Sequence, residues 1–97
     1  MKPMICTAIR SKMIIRFYYN GGFRKLEPFC YGVSTSGNEV LRAYQTSGYS
    51  KSGNPAGWKL FRVSEISSLK ITGEYFEDIR PGYNPKDPII KRIYCCV

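Results

Sequence analysis

The stretch Gly57-Trp58-Lys59-Leu60-Phe61-Arg62-Val63-Ser64-Glu65-Ile66 alternates with the period of a β-strand. Lys59, Phe61 and Val63 fall on one face, and Trp58, Leu60 and Arg62 on the other. Phe61 and Val63 suit a core. Arg62 stands in mid-strand among apolar neighbours, where a guanidinium that cannot lose its proton is costly to bury alone. It therefore pairs with a carboxylate or faces a polar cleft.

Upstream, Met4, Ile5, Ala8 and Ile9 recur at helical spacing within Lys2–Lys12, with Arg10 and Lys12 near the C-terminal end. A strand over Met13–Tyr19 follows, rich in β-branched and aromatic residues, with Ile15, Phe17 and Tyr19 on one face and Ile14, Arg16 and Tyr18 on the other. Asn20-Gly21-Gly22 is a hairpin turn, since both residue types tolerate positive φ. The returning strand covers Phe23–Val33, and Pro28 marks an edge, a bulge or a bend in it. Ser34–Asn38 turns the chain into a third strand, Glu39–Thr46, with Leu41 and Ala43 opposite Val40, Arg42 and Tyr44. Ser47–Gly57 is a long loop of glycine, serine and proline without a packing period.

Beyond the Trp58 strand come a turn near Ser64 and a fifth strand, Ser67–Thr72. About five short strands joined by local turns predict a mainly β fold, a small barrel with a short N-terminal helix. From residue 77 the pattern is irregular and turn-rich, a surface tail after a core of residues 5–76. Asp87-Pro88 suits a helix N-cap and first turn, while Ile89, Ile90 and Ile93 fit a short helix or a strand.

At 97 residues the chain is read as one domain with a thin core. Fifteen Lys+Arg against seven Asp+Glu give a formal charge of +8, which favours encounter with polyanions without locating a site. Cys6, Cys30, Cys95 and Cys96 form no CxxC pair, and there is no histidine, so neither a zinc ligand set nor a Ser-His or Cys-His nucleophile is present. No secretory segment or membrane span is evident. These features predict a cytoplasmic protein with reduced thiols, no metal, no cofactor and no catalytic residues. Its folding should depend on neither disulfides nor metal.

The order of the pieces resembles the WYL domain across roughly Ile5–Phe76. The helix and Ile15-Arg16-Phe17-Tyr18-Tyr19 look like that family's opening, and Arg24 with Glu27-Pro28 like its second strand. Glu39-Val40-Leu41-Arg42-Ala43-Tyr44 occupies the place of the naming tripeptide. Phe61-Arg62-Val63-Ser64-Glu65-Ile66 is similar to the Phe-Arg-Leu-Asp-Arg-Ile signature. Glu39 and Val40 replace the tripeptide's Trp and Tyr, and Glu65 replaces the signature's second Arg. The resemblance implies an Sm-like, SH3-like barrel with Arg62 in a ligand pocket. It further implies a ligand-sensing or nucleic-acid-binding module of the kind found in bacterial transcription regulators. With only residues 1–12 ahead of the first strand, it implies a stand-alone module lacking the usual winged helix-turn-helix.

The strand faces place Arg16 and Tyr18, Arg42 and Tyr44, and Trp58 and Arg62 on the side away from the core. If their strands are neighbours, guanidinium groups and rings interleave, an arrangement suited to phosphates and bases. The expected ligand is single-stranded DNA or RNA or a nucleotide, anchored by Arg62. The plainer reading pairs these arginines with Glu27, Glu39 or Glu65 and makes Trp58 a core or lid residue. A second functional reading is a protein-interaction module that docks a partner or another copy through a sheet edge or the tail.

Overall fold

In the computed structural model, which describes Met1–Val97, a nine-residue helix α1 (Lys2–Arg10) precedes six strands. These are β1 (Met13–Tyr19), β2 (Gly22–Ser34), β3 (Glu39–Gly48), β4 (Gly57–Arg62), β5 (Ser67–Tyr75) and β6 (Ile90–Cys96). They form one antiparallel sheet in the order β4-β3-β2-β1-β5, with β6 paired to β2 off this path. The sheet is not a closed barrel: β4 and β5 share no ladder. A 3-10 turn over Val63–Glu65 carries the chain from β4 to β5.

The β1–β2 hairpin turns through Asn20 and Gly21, with Tyr19 opposite Gly22. Asn20 (φ 40°) and Gly21 (φ 102°) both have positive φ, as a tight turn compatible with strand twist requires. Pro28 lies at a register shift in the β2–β3 ladder, where its missing N–H is tolerated.

One face of the sheet carries the main core. Ile5, Ala8 and Ile9 of α1 pack onto Ile15, Phe17, Leu26, Tyr31, Leu41, Ala43, Phe61 and Val63, all buried. The strand faces expected for β1, β3 and β4 are those observed. On the opposite face Ile14, Phe29 and Phe76 form a smaller cluster, flanked by Tyr44, Trp58 and Tyr83.

Three expectations are corrected here. The C-terminal tail is not irregular: Ile90–Cys96 is a sheet strand, and residues 76–88 roof the small cluster. Asp87 starts no helix; its carboxylate accepts from the Ile89 N–H at 3.0 Å, turning the chain directly into β6. The thiols are not free either, for Cys6 pairs with Cys95 and Cys30 with Cys96. The vicinal cysteines thus bind β6 to α1 on one side and to β2 on the other. No sequence spacing announces this, because the partners lie 89 and 66 residues apart. No helix is long and apolar enough to cross a membrane.

Candidate functional site

The six residues singled out from the sequence lie on the outer face of the sheet but not as one group. Tyr44 on β3 stands opposite Trp58 on β4, Arg42 opposite Leu60, and Val40 opposite Arg62. Because β2 separates β1 from β3, Arg16 and Tyr18 lie apart from the others.

The central group is occupied by partners within the chain. Arg42 Nε donates to Asp87 Oδ2 at 2.6 Å, with Asp87 almost wholly buried. Burial alone would raise the Asp87 pKa; the Arg42 and Ile89 donors outweigh it and hold the carboxyl below its ordinary range. Trp58 lies near parallel to Tyr83 at 6.1 Å between centroids, tilts against Phe29 at 4.9 Å, and donates Nε1–H to the Pro81 carbonyl at 2.8 Å. Tyr44 meets Trp58 edge-on at 5.6 Å, while the Arg80 guanidinium lies 4.5 Å from the Tyr44 centroid. Arg80 also makes a forked pair with Glu27, at 2.7 and 2.9 Å. The carboxylates anticipated for Arg42 serve elsewhere, since Glu39 accepts from the Tyr31 and Tyr94 hydroxyls.

Arg62 ends β4 on the surface. Its guanidinium is 4.0 Å from Glu65, and both side chains are largely exposed. Its main-chain N–H donates to the Tyr19 hydroxyl at 3.1 Å. Beside it a polar depression of about 350 Å³ is lined by Tyr19, Asn20, Ser36, Asn38 and Glu65, among others.

The second group carries the unbalanced charge. In register across three adjacent strands stand Lys25 (β2), Arg16 (β1) and Lys70 (β5), so their side chains project from one face. Glu74 alone offsets this row, bridging Lys25 at 3.0 Å. Like charges directly opposite in a sheet are destabilising, and here only the exposed Glu74 bridge and the contact of Arg16 with Phe23 offset that cost. Next to it Tyr18 stands opposite Phe23, the rings edge-on at 5.4 Å and both exposed, with the Arg16 guanidinium 4.6 Å from the Phe23 centroid. Fixed cations beside exposed rings offer contacts to phosphates and π-faces to bases.

Sequence reasoning placed Arg24 in the second strand but gave it no site role; it is only 6% exposed. The signal was available, for Arg24 shares the β2 face of Leu26, the same arginine-among-apolar pattern that drew notice to Arg62. Its Nε donates to the Tyr19 carbonyl at 3.1 Å and Nη1 reaches Gln45 Oε1 at 3.5 Å. The guanidinium lies within 5.3–5.6 Å of the Tyr19, Tyr49 and Phe61 centroids. Burial pushes its pKa down.

No protein-family model matches the chain, and comparisons with curated proteins and with solved structures return no match.

Proposed function

We propose that the chain is a non-enzymatic module that binds a negatively charged ligand, single-stranded nucleic acid before a free nucleotide, on the outer face of β5, β1 and β2. The observation that carries this is the cross-strand row Lys25–Arg16–Lys70, with exposed Tyr18 and Phe23 beside it. Phosphates neutralise the row, and bases stack on the rings. The net charge of +8 supplies long-range attraction.

The Sm-like, SH3-like identity of the fold and the WYL resemblance belong to the same proposal. Their support is the return of β5 to β1 after the four-strand meander β1–β4, the approach to closure that a small barrel needs. The polar depression beside Arg62 supports a subsidiary ligand pocket of the kind the resemblance implies. The two disulfides support an oxidising compartment, where they persist, over the cytoplasm that reduced thiols would imply.

A second reading, protein interaction, is favoured by the free edge of β5 and by exposed Tyr75 and Ile79 nearby. Titration of labelled oligothymidine and oligouridine at two salt concentrations tests the choice. The proposal expects binding that weakens steeply with salt; absence of binding at low salt overturns it.

A further inference from the structure

We infer that Arg24 is the counter-cation of a phosphate site covered by Tyr49, whose ring acts as a displaceable latch. The inference rests on the nucleic-acid reading for its physiological ligand, but the site is a separate structure on the other side of β2.

A charge removed from water is costly unless ion-paired or fully hydrogen-bonded. Arg24 is nine-tenths buried, yet unlike Arg42 and Arg80 it has no carboxylate partner. A main-chain carbonyl, a long bond to an amide and three ring faces are what it has instead. Two of those rings, Tyr19 and Phe61, belong to the core-bearing face of strands β1 and β4. The third, Tyr49, belongs to the loop after β3.

Tyr49 is docked with unusual closeness on the hairpin turn. A Cβ built on Gly22 would meet the Tyr49 side chain at Cβ, and at Cγ within 2.7 Å; one on Gly21 would lie 3.1 Å from Cε2. Only glycine at these positions lets the ring lie over the turn. The docking uses two hydrogen bonds through the Tyr49 main chain, N–H to the Phe23 carbonyl at 2.9 Å and carbonyl from Gln45 Nε2 at 2.8 Å. Beyond it, residues 51–56 are exposed, and the loop is bounded by Gly48 (φ 104°) and Gly57 (φ 140°). The loop is held at Tyr49 and by Lys59, whose Nζ donates to Ser50 Oγ at 3.2 Å and to the Asn54 carbonyl at 2.9 Å. Between two glycines in the left-handed region it can lift once these few polar contacts exchange for water. Lifting Tyr49 uncovers a guanidinium whose fork matches a phosphate. On the opposite face, the Arg24 position also borders a depression of about 440 Å³ on the basic row, lined by Arg16 and Lys25 together with the Glu74 carboxylate.

The test uses the whole chain with two probes, inorganic phosphate and oligothymidine. Phosphate should shift the Arg24 Nε–H resonance of the wild-type protein and the Tyr49 ring resonances with it. Tyr49→Ala should bind oligothymidine about three- to tenfold more tightly, because the closed state no longer withholds the competent one. Arg24→Lys in that background should lose the gain. An Arg24 resonance indifferent to both probes, with Tyr49→Ala binding like wild type, overturns the site and leaves the basic row untouched. A phosphate-induced shift at Arg24 without oligothymidine binding supports the site and overturns the nucleic-acid reading instead.

Discussion

Arg42 Nε and Asp87 Oδ2 stand 2.6 Å apart, so the third strand and a residue 45 positions later in sequence share one ion pair. The pair fastens the segment roofing Phe29 and Phe76 to the middle of the sheet. It also removes Arg42 from the set of cations open to a ligand.

Replacing Arg42 with alanine strands a buried carboxylate. A loss of about 2–3 kcal/mol is expected in a denaturant melt, below the 3–5 of a fully buried pair because Arg42 keeps some solvent contact. The pH dependence has a definite sign. The Asp87 pKa is depressed on folding, so its stabilisation is present above the unfolded value of about 3.9 and is lost as pH falls through the folded value. Asp87→Asn should flatten this acid limb of the stability curve, measured from neutrality to below about pH 4.

Phe61→Ala removes a ring that is 1% exposed and meets Phe17 edge-on at 5.0 Å. The expected cost is about 3–5 kcal/mol, enough to abolish folding in a domain of this size. A thermal midpoint near that of the wild type would contradict the assigned strand face.

How far the fold could be read from sequence follows from which interactions are local. Alternation in Met13–Tyr19 and Trp58–Arg62, and the Asn20-Gly21 turn, involve neighbouring residues, so their strands and faces were legible. The C-terminal strand was not, because Ile90–Cys96 takes its conformation from a ladder with β2 and from two distant cysteines. The same holds for the site. Which face Arg16 occupies is a matter of period two, whereas its meeting with Lys70 depends on how β5 returns to β1. Arg42 was legible as an outward cation, but its partner Asp87 was hidden in a segment with no period.

The disulfides close loops spanning most of the chain, so breaking them should release denatured-state entropy. A reductant should lower the thermal midpoint by many degrees, since each bridge is worth about 2–5 kcal/mol. A midpoint unchanged after complete reduction, verified by thiol counting, would show that β6 is held by its ladder and packing alone.

Arg62→Ala should change stability by no more than about 0.5 kcal/mol, because its contact with Glu65 is long and exposed. Its effect on oligonucleotide affinity should be smaller than that of Arg16→Ala. A stability loss of several kcal/mol would instead assign Arg62 a structural ion pair.

The central claim is that the Lys25–Arg16–Lys70 row holds phosphates. The most direct measurement is the salt dependence of oligothymidine binding for wild type, Arg16→Ala and Arg16→Ala/Lys70→Ala. For single strands each lost phosphate contact should flatten the log–log slope by about 0.7, with roughly tenfold weaker binding at low salt for the first substitution. Folding should be unimpaired or slightly improved as like charges are removed. Slopes and affinities that do not differ among the three proteins would contradict the account.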